Sequence, residues 1–128
     1  MARPPVTMAD ASQHLRPQIR ILFGSATTLG PGKARVLETI AETGSISATA
    51  RELGMSYRRC WMLVDSLNRC FCEPVITTAT GGANGGGAAL TGFGREIIRR
   101  YRDIEVKAAH SVRSDIDALC ALMTAPED

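Results

Sequence analysis

Residues 46–66 read ISATARELGMSYRRCWMLVDS, and the apolar spacing of this segment predicts two short helices joined by a tight turn. The first helix would bury Ile46, Ala50 and Leu53 and would end at Gly54, where a positive φ is expected. Ser56 is a suitable N-cap for the second helix. Because Ala50 is small where two helices must approach closely, the segment indicates a helix-turn-helix.

The helices around this turn follow from the same periodicity. The second helix of the pair would run from Ser56 to about Cys70. Its apolar stripe consists of Cys60, Leu63, Val64, Leu67 and Phe71. A further helix is predicted upstream, at roughly 32–43, because Gly44 can end it and its apolar residues share one face. That face consists of Val36, Leu37, Ile40 and Ala41. Three helices with two short connections result.

A β-hairpin is predicted after the third helix. Pro74 ends the helical pattern, residues 75–80 are rich in β-branched side chains, and a shorter strand follows near 88–90. Residues 81–87 between the strands read GGANGGG and would form a flexible tip. A hairpin beside a helix-turn-helix is a wing. A short strand is also predicted before the first helix, over 19–23.

The C-terminal part of the chain predicts one long helix, over residues 93–124. If unbroken, it would hold about 30 residues and be about 45 Å long. Its candidate dimerisation residues are Ile97, Tyr101, Ile104, Ala108, Val112, Ile116 and Leu119. A three-helix core covers only the first turns of such a stripe, which predicts a symmetric homodimer. The alternative is a break near residues 110–111, after which the chain folds back on its own domain.

The predicted fold class is mainly α with a small β-hairpin. Residues 1–17 would form a flexible N-terminal arm, 18–92 a winged helix-turn-helix domain, and 93–124 the long dimerisation helix. The formal net charge is only +2, but arginine supplies thirteen of the fifteen basic residues. This bias suits contacts with phosphate and guanine, because a guanidinium forks onto two acceptors.

The second helix of the helix-turn-helix is the recognition helix, and its N-terminal half would enter the major groove. Its outer face carries the candidate contacts with double-stranded DNA. The candidate DNA-binding residues are Ser45, Ser47, Ser56, Tyr57, Arg58, Arg59, Trp61 and Met62. Arg58 could form a bidentate contact with guanine O6 and N7. Two alternatives remain for Trp61, which would either contact DNA or be partly buried in the core. The candidate wing contacts are Thr80, Gly81, Gly82, Asn84, Gly85 and Gly86.

Other functional classes find little support in the residues. No catalytic constellation, metal site, cofactor site, signal peptide or membrane span is predicted, so we expect a cytoplasmic protein that is not an enzyme. The glycine run lacks the Lys-Ser/Thr of a phosphate-binding loop. The four cysteines, Cys60, Cys70, Cys72 and Cys120, are expected to be thiols.

Residues 19–105 resemble the N-terminal DNA-binding domain of the ModE-type molybdate-dependent regulators, a winged-helix group akin to LysR-type regulators. The resemblance rests on residues 44–59, which read GSISATARELGMSYRR, on Trp61, on the glycine-rich wing, and on residues 90–94, which read LTGFG. It implies a winged-helix homodimer that acts on genes of molybdenum uptake or molybdoenzymes. That family continues into molybdate-binding domains where this chain ends at Asp128, so we do not expect this chain to bind molybdate.

Three hypotheses follow for the function. The first is a sequence-specific DNA-binding transcriptional regulator, and the second is a protein-interaction module that pairs with another regulator. The third is a thiol-based redox sensor that uses Cys70 and Cys72.

Overall fold

The computed structural model describes residues 16–79 and 87–124. The chain divides into two compact units, Ile19–Arg102 and a second unit to which Asp103 and the residues after it belong. The first unit contains β1 (Ile21–Phe23), β2 (Ala26–Leu29), α1 (Pro31–Thr43), α2 (Ile46–Leu53), α3 (Tyr57–Cys70), β3 (Ile76–Ala79), β4 (Gly87–Leu90) and the first half of α4 (Gly92–Ser111). The second unit contains the rest of α4 and α5 (Arg113–Cys120).

The three predicted helices are confirmed as α1, α2 and α3, and each buries one face in a common core. The largest fully buried side chains of this unit are Tyr101, Leu37, Ile40, Leu67, Ile76, Val36 and Val75. Ala41, expected on the buried face of α1, is exposed, and Ala34 lies in the core. Leu63 and Phe71 pack against the core but stay half-buried. The core therefore fixes which faces of α2 and α3 are left outside.

The first strand has a partner that the sequence analysis missed. β1 pairs antiparallel with β2 through Leu22 opposite Thr27 and Phe23 opposite Ala26, with an irregularity in the register before Leu22. Gly24 adopts a φ of +66° in the turn between the strands. A Gly-Ser pair at 24–25 between a strand-like run and two β-branched threonines at 27–28 is a hairpin signal, so the pattern was available in the sequence.

The predicted second hairpin is confirmed as β3 and β4, with Ile76 opposite Leu90 and Ala79 opposite Gly87. Its tip, with the candidate wing residues Thr80, Gly81, Gly82, Asn84, Gly85 and Gly86, lies outside the described residues. The base of the hairpin is fixed by Asn68 of α3, whose Oδ1 accepts hydrogen bonds from the N–H groups of Val75 (2.9 Å) and Ile76 (3.1 Å). The Nδ2 of Asn68 donates to the Ile76 carbonyl (3.0 Å).

Replacement of Asn68 by leucine should destabilise the protein by about 2 kcal/mol, because it leaves three backbone groups of Val75 and Ile76 without their partner. The free energy of unfolding in urea measures this loss. Arg69→Leu is the control, because Arg69 is the exposed neighbour of Asn68 on α3, and its ion pair among the described residues is with Asp65. That change should cost less than about 0.5 kcal/mol. Equal stability of the two variants would contradict the role given to Asn68.

The predicted single helix over 93–124 is wrong in one respect: α4 ends at Ser111, and α5 begins at Arg113. Val112 interrupts the helical backbone with a φ of −106° and a ψ of 11°. The N–H of Val112 still bonds to the carbonyl of Ala108 (3.1 Å), and the N–H of Ile116 bonds to the carbonyl of Val112 (2.9 Å). The interruption is thus confined to one residue. It lies next to residues 110–111, where the alternative to a single helix placed a break.

Tyr101, predicted to lie at a dimer interface, is instead a core residue of the first unit. It is buried, and its hydroxyl donates to the carbonyl oxygen of Ile19 at 2.7 Å. Ile97, one turn earlier on α4, also packs against this core. The first turns of the apolar stripe are therefore covered by their own chain. Of the later stripe residues, Ile104 and Leu119 are exposed, whereas Ala108, Val112 and Ile116 are half-buried.

Candidate nucleic-acid interface

The turn between α2 and α3 fixes the angle at which the recognition helix leaves the core. Gly54 ends α2 with a φ of +68°, as the sequence predicted. The N–H of Met55 bonds to the Ala50 carbonyl (2.9 Å) and the N–H of Gly54 to the Arg51 carbonyl (3.2 Å). This pair of bonds is the Schellman motif, which favours glycine because a left-handed residue is needed at that position.

Two of the predicted contact residues, Ser45 and Ser56, are helix N-caps. The Ser45 hydroxyl oxygen accepts from the N–H of Ala48 (3.1 Å), and that of Ser56 accepts from the N–H of Arg59 (3.1 Å). A hydroxyl that accepts in a cap keeps its own proton as a donor. Both caps can therefore still donate to a phosphate oxygen while they hold the starts of α2 and α3. Ser47 lies exposed in the first turn of α2.

The position of α2 depends on a residue that sequence analysis missed, Thr49. Its side chain is fully buried, and its Oγ1 lies 2.9 Å from Oγ1 of Thr43 at the end of α1. The Thr43 hydroxyl also lies 3.1 Å from the Ser45 carbonyl, to which it donates. Threonines at both ends of a short helix connection could have suggested such a bridge. These bonds place the start of α2 beside the end of α1.

The recognition helix α3 has a dry face and an exposed face. Cys60, Val64 and Leu67 are buried in the core. Around the other side of the helix, Tyr57 is 55% exposed, Trp61 47% and Met62 55%. Three large apolar side chains exposed next to each other form an apolar patch, a feature that is found at interaction surfaces.

These side chains form a shallow depression together with Arg58. It is lined by Tyr57, Arg58, Trp61 and Met62, all from the N-terminal half of α3. Trp61 contributes its ring to this outer surface and is not a member of the core. We call these four residues the recognition surface. In the part of the chain that the structure describes, no carboxylate pairs with Arg58, so its guanidinium is available to a ligand.

The cysteines differ in their surroundings. Cys60 is buried, and burial raises the pKa of its thiol, which disfavours the reactive thiolate. Cys120 is also buried, whereas Cys70 and Cys72 are exposed at the end of α3. Among residues 16–79 and 87–124, no three side chains of the metal-binding types come together as a metal site. Within the same residues, no helix has the length and apolar character needed to cross a membrane.

Comparison with known families settles what kind of helix-turn-helix this is. Residues 32–95 match the family described as the bacterial regulatory helix-turn-helix protein, LysR family. The chain belongs to this family. The matched residues extend from the first turn of α1 to the first turn of α4, so they contain the helix-turn-helix, the recognition surface and the wing.

Curated relatives include a protein named for molybdenum-pterin binding and transcriptional regulators named ModE. The chain is 40% identical over 94 residues to the molybdenum-pterin-binding protein MopB of Rhodobacter capsulatus, a match over 73% of this chain and 35% of the relative. It is 39% identical over 92 residues to the DNA-binding transcriptional dual regulator ModE of Escherichia coli K12, over 70% of this chain and 35% of the relative. The match with ModE of Haemophilus influenzae is 30% over 110 residues and covers 43% of that protein. The chain therefore spans about a third to two fifths of these relatives.

A solved structure of low sequence identity has a similar fold. The mutant of Lactococcus lactis ZitR has a TM-score of 0.51 with this chain at 13% identity, and the match covers 85% of this chain and 73% of the other. At this identity, the similarity supports the winged helix-turn-helix fold.

Proposed function

We propose that this LysR-family chain binds double-stranded DNA sequence-specifically and regulates transcription, with α3 in the major groove. The proposal rests on the recognition surface, where Arg58 lies among three exposed large side chains. The opposite face of α3 is buried in the core, which holds the helix in place. A guanidinium can fork onto the O6 and N7 atoms of guanine, and exposed apolar groups can contact thymine methyl groups. The proposed regulator is not an enzyme and acts in the cytoplasm, where bacterial DNA lies.

The genes it controls are proposed to serve molybdenum uptake or use. This part of the proposal rests on the relatives, since ModE of Azotobacter vinelandii is named a molybdenum transport protein and is 37% identical over 81 residues. The expectation that this chain binds no molybdate itself stays a prediction. Calorimetry with micromolar molybdate and tungstate checks it, and a saturable, stoichiometric heat would show it to be wrong.

The experiment that tests DNA binding is a salt titration of the affinity for duplex DNA from molybdenum-related promoters. Each phosphate that the protein neutralises releases counterions, so the logarithm of the association constant should fall linearly with the logarithm of the salt concentration. We expect the affinity for a promoter duplex to exceed that for a scrambled duplex of equal length at every salt concentration. Equal affinity for both duplexes would refute sequence-specific binding.

Two other hypotheses are separated by the same assay. Tyr57, Trp61 and Met62 belong to residue types that are also enriched at protein interfaces, which favours pairing with another regulator as the second candidate. That candidate predicts no salt-dependent binding of duplex DNA. A thiol sensor would use the exposed pair Cys70 and Cys72, and DNA binding that responds identically to oxidant after both are changed to serine would exclude it.

A homodimer is proposed from the second unit. Ile104, Val106, Leu119 and Leu122 are exposed large apolar residues on or next to α4 and α5. Burial of such side chains in an isologous interface would remove apolar surface from water, and each fully buried residue contributes about 1.5–3 kcal/mol. Two copies of α3 could then enter successive major grooves of a palindromic site.

Light scattering on the variants Ile104→Asp and Leu119→Asp tests the dimer. Each carboxylate would have to be buried at the interface, so both variants should be monomers at tens of micromolar, where the wild type is a dimer. The matched control is Ser114→Asp, which adds the same charge at an exposed polar position of α5. A wild-type monomer at this concentration, or dimers of both apolar variants, would disprove this interface.

A further inference from the structure

A second surface of the recognition helix faces the β1–β2 hairpin across a groove of about 540 Å³. The residues that matter for its chemistry are Thr27 of β2, Lys33 of α1, and Ser56, Arg58, Arg59 and Ser66 of α3 or its cap. All of them belong to the first unit. We call this the hairpin groove. Sequence analysis did not predict it, because β2 and the pairing of the hairpin were missed.

Lys33 is held in the hairpin groove by two neutral partners. Its Nζ donates to the Thr27 carbonyl at 2.6 Å and lies 3.2 Å from the Ser66 hydroxyl, its second acceptor. An ammonium group has three N–H donors, so one is left for a ligand. No carboxylate of the described residues pairs with Lys33. The side chain thus ties the hairpin to α1 and α3 and leaves its positive charge uncompensated.

The charge in the groove has one sign. Lys33, Arg58 and Arg59 line it, and no aspartate or glutamate does. Arg59, like Arg58, pairs with no carboxylate in residues 16–79 and 87–124. Three cations around one groove repel each other, and a bound anion relieves this repulsion. The groove is therefore complementary to a polyanion.

The place of the groove on α3 identifies that polyanion. Arg58 and Met62 line both the hairpin groove and the recognition surface, so the two surfaces adjoin along the helix. The major groove is about 12 Å wide, and an α-helix with side chains has a diameter of about 10–12 Å. When the recognition surface faces the bases, the flanks of α3 must therefore face the two sugar-phosphate strands.

We infer that the hairpin groove binds one sugar-phosphate strand of the DNA duplex, with Lys33 and Arg59 as phosphate-binding residues and β1–β2 as its outer wall. The inference rests on the proposed DNA binding and adds a second contact region, which α3 forms together with β2 and α1. It also divides the adjacent arginines by role. Arg58 reads a base, whereas Arg59 holds the backbone and carries no sequence information.

The test is the salt dependence of duplex binding by Lys33→Gln and Arg59→Gln. Loss of one phosphate contact should reduce the slope of log affinity against log salt by about 0.9 and weaken promoter and scrambled duplexes by the same factor. Lys33→Arg keeps the charge and should keep the wild-type slope. Arg100→Gln is the control for total charge, because Arg100 lies on α4, away from the groove, and pairs with Glu96.

The outcomes separate this inference from the proposed function. A wild type without salt-dependent duplex binding would overturn both. If the wild type binds but Lys33→Gln and Arg59→Gln keep its slope, the hairpin groove is not a DNA contact and the proposed function stands. Lys33 also fixes the hairpin, so the salt slope of Lys33→Gln is interpreted only if the circular dichroism spectrum of this variant matches that of the wild type. Arg59 is exposed, so Arg59→Gln decides if Lys33→Gln does not fold.

Discussion

Replacing Arg58 with alanine is expected to weaken binding to the specific operator by about 1–3 kcal/mol and to relax the preference at one base pair in each half-site. The guanidinium stands on the first turn of α3, between Tyr57 and Trp61, and no described carboxylate competes for it. A methyl group in its place cannot fork onto a guanine edge. The loss should therefore be larger on the operator than on unrelated duplexes.

The measurement for Arg58→Ala is competition between the operator and duplexes that carry each base at every position. Arg59→Gln is the matched comparison, since the two arginines are neighbours in sequence and both are exposed. We expect Arg59→Gln to leave the order of preferred bases unchanged. An unaltered base preference of Arg58→Ala would show that this residue does not read the sequence.

Replacing Gly94 with alanine is expected to destabilise the fold by about 3 kcal/mol. A Cβ on Gly94 would overlap the Val75 carbonyl oxygen and would lie 2.6 Å from Cδ1 of Leu90. The oxygen belongs to the backbone, so it cannot turn aside as a side chain can. The close approach arises because the Thr91 hydroxyl donates to the Pro74 carbonyl (2.7 Å) and accepts from the N–H of Gly94 (2.9 Å).

Gly92 provides the control for Gly94 within the same helical turn. A Cβ on Gly92 would meet nothing within 4 Å, so Gly92→Ala should be neutral or stabilise the helix by up to about 1 kcal/mol. Thermal and urea unfolding of both variants checks the difference. Equal stability of Gly94→Ala and Gly92→Ala would show that α4 does not approach the Val75 backbone so closely.

Much of the helix-turn-helix could be predicted from the sequence because its signals are local. Ser45, Gly54 and Ser56 act on backbone groups within five residues of themselves, and the structure confirms all three as caps. The buried face of α3 follows from helical spacing, which places Cys60, Val64 and Leu67 on one side. The same spacing therefore placed the exposed recognition surface on the other side.

The long C-terminal stripe shows where spacing is not enough. Apolar residues at helical intervals must be covered, but the interval does not say whether the cover comes from the same chain or from another. Tyr101 is covered by its own unit and bonds to Ile19, which is 82 residues away, whereas Ile104 is left exposed. No glycine or proline lies near the interruption at Val112, so the sequence carries no signal for it.

The sequence by itself determined the three helices, the wing hairpin, the helix caps and the outward position of Tyr57, Arg58, Trp61 and Met62, since these depend on residues that are close along the chain. Only the tertiary structure decided what brings distant residues together. Lys33 meets Ser66 across 33 positions, and Asn68 fixes β3 to α3. Such contacts depend on the path of the whole chain through space, and no local pattern of residues encodes that path.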